Sequence, residues 1–397
     1  RVVVVDESPK LRTEPRSLDS TDFTIPVAAG VLDFEVVATK VPPACVDSLI
    51  LPAVPPSPDR PTRFPTSRST RSNGQTGVMM DGNLISGRLV VADDVSEALA
   101  AGRPVVALES TIISHGMPYP DNVSTAMACE AAVREVAAVP ATIAVVDGAL
   151  RVGLTGDEVE RLGVAEEVAK VSLRDLGWVL SGGGLGGTTV AATMHAADLV
   201  GIRVFATGGI GGVHRGGDHD VSADLTALGT IPVAVVCSGP KAVLDVARTV
   251  EALETLGVPV IGQGVDVLPE FWTRGTDLTV GTRSDDVART AAILEAHWGC
   301  GLTTGAVVAN PIPAGHELDR DMIATAIESG LAAAATRGIR GREVTPFLLT
   351  HVAAATDGRS QVANMALVRD NAAVAGRIAV ALSARRASRD SGHGGAR

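Results

Sequence analysis

Beyond residue 79 the chain alternates between short unbroken apolar runs and longer stretches where apolar residues recur every three or four positions. Pro104–Leu108, Ala141–Val146, Arg203–Thr207, Pro232–Cys237, Val258–Gly262 and Gly305–Ala309 are of the first kind and read as strands. Val95–Gly102, Ser124–Val139, Val190–Leu199, Lys241–Leu256, Asp285–Trp298, Asp319–Arg337 and Gln361–Ala384 are of the second kind and read as helices. A short helix is expected around Ala223–Leu228. Strands without polar alternation are buried on both faces, as in a parallel sheet covered by helices on each side. The pattern predicts an α/β fold with three α/β/α layers and a largely parallel or mixed central sheet. Ligands of such sheets bind at the carboxyl ends of the strands, in the loops leading to helices.

Residues 1–78 do not share this pattern. Proline, serine and arginine interrupt short apolar islands there, as in Leu51-Pro-Ala-Val-Pro-Pro-Ser-Pro-Asp59, which blocks continuous helix or central strand. This stretch is expected to be a disordered extension, or upstream sequence read through before a start at Met79 or Met80. The folded domain is expected over 79–385, with a disordered tail over 386–397. Composition narrows the class of protein. A hydrophobic fraction of 46% supports a large core, yet no apolar run reaches the roughly 20 residues of a membrane helix. The apolar run of Arg1-Val-Val-Val-Val-Asp6 is too short for a secretory signal. Cys45, Cys129, Cys237 and Cys300 lack zinc-site or redox spacing, which favours a reducing compartment such as the cytoplasm. A net charge of −11 argues against nucleic-acid partners, although backbone amides and a few cations could still hold one phosphate.

The balance of basic residues points to chemistry. Of 34, only Lys10, Lys40, Lys170 and Lys241 are lysine, and two of these lie in the folded domain. Arginine can supply surface charge but cannot act as a neutral amine, so a lysine kept in this background is a candidate nucleophile. Lys241 follows a buried strand and a Ser-Gly-Pro turn. If it stands in the first turn of a helix, the dipole should lower its pKa. Lys170, in a polar cluster within a strand-like run, could depress that pKa further or bind phosphate. Glu109 ends an apolar strand, where partial burial would suit it to general-acid work; pairing with an arginine is the structural alternative.

Two glycine-rich strings complete the chemistry. Ser181-Gly-Gly-Gly-Leu-Gly-Gly-Thr-Thr-Val190 opens a helix and reads as a phosphate cradle, with Thr188 and Thr189 as hydroxyl donors. It lacks the context of a dinucleotide fingerprint, which leaves an oxidoreductase a distant alternative. Phe205-Ala-Thr-Gly-Gly-Ile-Gly-Gly-Val-His-Arg-Gly-Gly-Asp-His-Asp220 surrounds His214 and Arg215 with glycine. Asp220 could bind a hard divalent cation whose shell is completed by water, or it could cap the helix that follows.

These strings resemble the pseudouridine-5′-phosphate glycosidase family, also called indigoidine synthase A-like. The matching stretches include Val106–Asn122, Lys170–Leu176, Thr188–Met194, Phe205–Gly216, Val235–Asp245, Ala309-Asn-Pro-Ile-Pro313 and Asn364–Asn371, in order from about Val95 to about Val380. The resemblance implies reversible cleavage of pseudouridine 5′-phosphate to uracil and ribose 5-phosphate by a homotrimer using Mn²⁺. It implies that Lys241 attacks the ribose C1′, Glu109 donates a proton and Asp220 holds the metal. Lys170, Val190, Ser222, Ala223 and Asp224 would bind substrate, with Thr188, Thr189, His214 and Asn310 beside them. The chain departs from the family pattern in a shorter Gly216-Gly-Asp-His-Asp220, which makes Asp218 a rival ligand, and at Pro240, Gln263 and Ala314. Two rival readings remain: a Schiff-base lyase acting on another sugar phosphate, and a catalytically silent accessory protein on the same scaffold.

Overall fold

The computed structural model describes residues 88–215 and 220–393 and, before them, only the backbone of four short strands. The chain divides into Arg1–Gly74 and Gln75–Arg397. In the first unit Val3–Val5 pairs antiparallel with Leu11–Thr13, and Phe23–Val27 with Gly30–Phe34. The expectation of a disordered extension otherwise lies outside the described residues.

The second unit is built on an eleven-stranded sheet. Nine strands follow in the order Thr282–Ser284, Val260–Gln263, Ala306–Ala309, Ala234–Cys237, Val204–Ala206, Val105–Leu108, Val139–Val146, Gly186–Thr188 and Ala169–Val171. The first seven run parallel. Their side chains alternate between two cores, which explains the unbroken apolar runs. Val106, Val204, Val236 and Val308 face one layer of helices, while Val105, Phe205, Val235 and Val307 face the other. The first layer contains Asp121–Glu135, Val287–Gly299, Arg320–Thr336 and the long Arg359–His393; the second contains Asp93–Ala100, Val190–Leu199 and Ala223–Thr230. This is the expected three-layer, mixed-sheet α/β/α fold.

The antiparallel part has a local cause. Val139–Val146 is longer than its neighbour, pairing with Val105–Leu108 over its first half and continuing beyond it. The extension takes Ala149–Val152 antiparallel on Ile143–Val146, and Gly186–Gly187 antiparallel on Ala144 and Val145. The strand Gly186–Thr188 therefore runs back towards the carboxyl ends of the parallel strands and delivers the helix Val190–Leu199 there.

Three expected boundaries are corrected. The helix expected from Lys241 begins only at Val246, with Asp245 as its cap accepting from the Arg248 amide at 3.0 Å. Residues 241–245 are instead a turn and a short strand, because Leu244–Asp245 pairs with Val213–His214 and the Lys241 amide donates to the Ile210 carbonyl. The helix expected from Ser124 starts at Asp121 and stops at Glu135, freeing Val139 for the sheet. The expected tail over 386–397 is helical at its start, continuing to His393 with Arg385 and Arg389 both paired to Glu295.

The long helix carries a fully buried amide, Asn371, over the strand ends. Its Nδ2 donates to the Thr207 carbonyl at 2.9 Å and the Ser238 hydroxyl at 3.1 Å, and its Oδ1 accepts from Asn310 Nδ2 at 3.0 Å. Removing it takes this partner from the buried Thr207 carbonyl and Ser238 hydroxyl and leaves Asn310 with one of its two acceptors. Asn371→Ala should lower stability by about 2–4 kcal/mol, read as a fall in the urea midpoint.

Candidate active site

Four adjacent parallel strands end at chemistry-bearing residues. Glu109 follows Leu108, Thr207 follows Ala206, the Ser238–Lys241 turn follows Cys237, and Asn310 follows Ala309. A cavity of about 540 Å³ opens at this edge. It is lined by Glu109, Lys170, Thr189, Val190, His214, Asp220, Ser222, Ala223, Asp224 and Lys241, so ten of the twelve sequence-selected residues share one space.

Glu109 is nearly buried and its carboxylate is held at both oxygens, by the hydroxyl of Thr111 on one and that of Thr207 on the other. The arginine partner considered for it is replaced by these hydroxyls. Lys241 is half-buried in a turn closed by the Leu244 amide donating to its carbonyl at 2.9 Å. Two loops interlock around it: Ser238 N donates to Gly208 O, Ile210 N to Gly239 O and Lys241 N to Ile210 O. Gly239 adopts a φ of +81°, and a Cβ there would lie 2.0 Å from the Pro269 carbonyl oxygen, so only glycine makes this turn. The helix-dipole argument for Lys241 loses its basis, since the helix begins beyond it.

Other assignments divide. Asp224 lines the cavity, but its oxygens accept the amides of Ala191 at 3.0 Å and Gly211 at 2.8 Å, fixing the helix entry against the glycine loop. Ser222, rather than Asp220, caps the helix Ala223–Thr230, accepting from the Asp224 amide. Asp220 is therefore available to the cavity, with its backbone carbonyl accepting from the His214 amide at 3.0 Å. Among the described residues no group of three or more metal-ligating side chains converges. One carboxylate on a water-accessible wall fits a hard cation that keeps most of its water, and fits a closed zinc-type site poorly. The rival ligand Asp218 lies outside the described residues.

Two candidates do not reach the cavity. Thr188 is fully buried, its hydroxyl donating to the Ile143 carbonyl and its amide to Ser110 Oγ. Asn310 is buried, donating to Asp370 at 2.7 Å and to Asn371. Both brace the strand ends. The exposed glycines Gly182–Gly184 end the helix Leu176–Gly182 and lie apart from the cavity, so the anion cradle contracts to Thr189 and the helix start at Val190. Thr189 Oγ1 is buried there without a hydrogen-bond partner. Gln263 is tied to Thr290 and Ser284, away from the cavity.

Several lining residues escaped the sequence reading: Thr111, His115, Arg174, Thr207, Phe271 and Asn364. Thr111 and Thr207 sit inside strings already selected, three residues and one residue past strand ends, which was an available signal. Asn364 lies within a helix, its Oδ1 accepting from Trp272 Nε1 at 2.6 Å, and only tertiary packing brings it to the cavity.

The family described as indigoidine synthase A like protein matches residues 94–381. A Nocardioides protein named pseudouridine-5′-phosphate glycosidase is 53% identical over 293 residues, covering 73% of this chain and 95% of the relative. One of the same name from Caldanaerobacter subterraneus is 51% identical over 295 residues, covering 74% and 96%. Among solved structures, a prealnumycin C-glycosynthase in complex with ribulose 5-phosphate superposes with a TM-score of 0.71 at 42% identity, covering 76% of this chain and 99% of the other. An indigoidine synthase A-like protein from Thermotoga maritima gives 0.69 at 34% identity, covering 75% and 97%.

Burial lowers the pKa of His115, His195 and His214. Lys170 adds to the effect at His115, opposed by a hydrogen bond with the Val168 backbone; Asp198 opposes it at His195. At His214 Asp220 opposes burial, while Lys241 and Lys170 reinforce it. A histidine whose folded pKa lies below its unfolded value of about 6.5 binds fewer protons when folded. Its stabilisation is present above that value and lost as pH falls below it. The urea midpoint should therefore drop between pH 7.5 and pH 5.5, and His195→Gln, outside the cavity, should shrink that drop.

Proposed function

The chain belongs to the indigoidine synthase A-like family, and from that membership we propose that it reversibly cleaves pseudouridine 5′-phosphate to uracil and ribose 5-phosphate. The observation that carries this reading is the meeting of Lys241, Glu109 and the Thr189–Val190 helix start in one cavity. A carbon–carbon glycosidic bond has no leaving oxygen to protonate, so two-carboxylate glycosidase chemistry does not serve. An amine provides another route. The Lys241 amine adds to C1′ as the C1′–O4′ bond breaks, and O4′ leaves as the hydroxyl of the opened ribose. The nitrogen lone pair then forms the imine, the bond from C1′ to uracil C5 breaks, and C5 keeps its electron pair and takes a proton. Water hydrolyses the imine to the aldehyde of ribose 5-phosphate. Water thus enters at the imine, which makes the reaction a lyase-type glycosidase step rather than direct hydrolysis.

Each part has a residue suited to it. Glu109, held at both oxygens by threonine hydroxyls, delivers the proton at a fixed position. The unpartnered Thr189 hydroxyl, the start of the helix Val190–Leu199 and Lys170 suit a phosphate. Ile112, Phe271 and Leu367 with the Asn364 amide give the base an apolar wall with one polar anchor. Asp220 would hold Mn²⁺ or a similar cation, which supplies positive charge to anionic substrate groups when bound. Cytoplasmic location and a homotrimer belong to the same reading; the free thiols of Cys129 and Cys237, pushed up to about 12 by burial, suit a reducing compartment.

Ribulose 5-phosphate in the structurally similar C-glycosynthase supports a second reading, imine chemistry on a different sugar phosphate. A uracil-release assay separates the two. Release from pseudouridine 5′-phosphate is expected, with borohydride trapping a ribose phosphate adduct on Lys241. Lys241→Ala should cut turnover about 1,000-fold or more, and an adduct on Lys170 instead would sink the nucleophile assignment. Separately, Asp220→Ala should abolish Mn²⁺ binding in calorimetric titration; retained binding would move the metal site elsewhere.

A further inference from the structure

Arg215 is half-buried beside the Lys241 turn but does not line the cavity. It follows the strand Val213–His214, in which His214 pairs with Leu244. Its Nε donates to the Leu244 carbonyl at 2.8 Å and its Nη2 to the Ala242 carbonyl at 3.0 Å. The same Nη2 lies 3.6 Å from the Glu270 carboxylate. Both carbonyls belong to the turn that presents Lys241, and the turn has no helical ladder of its own because the helix starts at Val246.

Glu270 links this guanidinium to a third segment. Its carboxyl is pushed upward by burial, and the charge of Arg215 is the chief influence holding it down. The next residue, Phe271, donates its amide to the Ser238 carbonyl at 2.7 Å and places its ring against the glycines at 208 and 209. The planar fork of arginine can hold two carbonyls and a carboxylate in one geometry, whereas a lysine ammonium is a single flexible point.

We propose that Arg215, oriented by Glu270, is a positioning residue for Lys241: it fixes the turn so that the amine meets C1′ of the sugar phosphate, without touching substrate. The role rests on Lys241 being the nucleophile. Misplacing a nucleophile by about 1 Å can cost roughly 100-fold in rate with little effect on binding elsewhere.

The test compares wild type, Arg215→Ala, Arg215→Lys and Glu270→Gln. It measures kcat and KM for uracil release, the rate of borohydride-trapped adduct on Lys241 with ribose 5-phosphate as probe, and the melting temperature. Arg215→Lys should keep KM within about twofold while kcat and the trapping rate fall about tenfold or more, with a smaller fall in Glu270→Gln. Millimolar guanidinium should restore part of the trapping rate in Arg215→Ala. If that variant does not fold, Arg215→Lys decides the question. Wild-type trapping rates in folded Arg215→Lys, or a raised KM with unchanged kcat, overturn the role. A wild type that forms no adduct on Lys241 overturns the nucleophile assignment and this role with it, whereas an adduct that forms normally in wild type and slowly in Arg215→Lys supports both.

Discussion

The carboxyl edge of the sheet depends on one buried amide. Asn371 bonds to Thr207, to Ser238 and to Asn310, each immediately beyond the end of a different adjacent strand. An amide in an apolar interior is tolerated only when its donors and acceptor are met, so the geometry of the three loops and the position of the long helix determine one another. The same helix brings Asn364, Leu367 and Val368 to the cavity one to two turns earlier. Gly376 lets it approach the helix Asp121–Glu135 closely, since a Cβ there would stand 2.3 Å from Val136 Cγ2. One element thus holds the strand ends and builds a wall of the site.

The site concentrates the scarce lysines of an acidic chain. A molecule carrying a net charge of −11 gathers Lys170, Lys241, His115 and His214 around one cavity. Both lysines lower the pKa of His214, which records their closeness. The carboxyl groups of Glu109, Asp220 and Asp224 share the same wall, so cations and acids are interleaved there. Asp224 is fixed in place by two backbone amides and Glu109 by two hydroxyls, while Asp220 lies beside His214. An anionic sugar phosphate entering such a cavity meets fixed donors without the wholesale basic surface that nucleic-acid binding needs.

What the sequence disclosed follows from which features are local. Buried parallel strands such as Ala234–Cys237 announce themselves because both faces must be apolar, and the residues just past them are the natural site positions. Hence Lys241 and Glu109 were legible. The return strand Gly186–Thr188 was not, because two of its three residues are glycines and its pairing partner is set by the overlength of Val139–Val146. That omission made the glycine string look like a cradle and left Thr188 facing the wrong way. Asn310 was selected as a polar residue at a strand end, but a polar residue there can equally brace the loops, and only its partners decide. Asn364 is the converse, a helical residue whose sequence position carries no sign of the cavity it faces.

The start of the helix after Lys241 shows why this matters for chemistry. Apolar periodicity continues smoothly from Ala242 through Leu253, so a helix from Lys241 satisfies the pattern. The backbone nevertheless leaves Ala242 and Leu244 with carbonyls that accept from Arg215, while Leu244 and Asp245 pair as strand with Val213 and His214. Cross-strand pairing with a distant segment outweighs local propensity here, as it commonly does for short stretches. The positive end of the helix consequently falls on the cap residue Asp245, where a carboxylate is favoured, rather than on the lysine. Lys241 is set by three neighbouring loops instead of by a helix terminus. A turn held in this way can present an amine at one angle and still belong to the same hydrogen-bonded unit as Asp220, whose carbonyl is bonded to the His214 amide. The proposed nucleophile and the proposed metal ligand are thereby joined through the backbone of a single short strand.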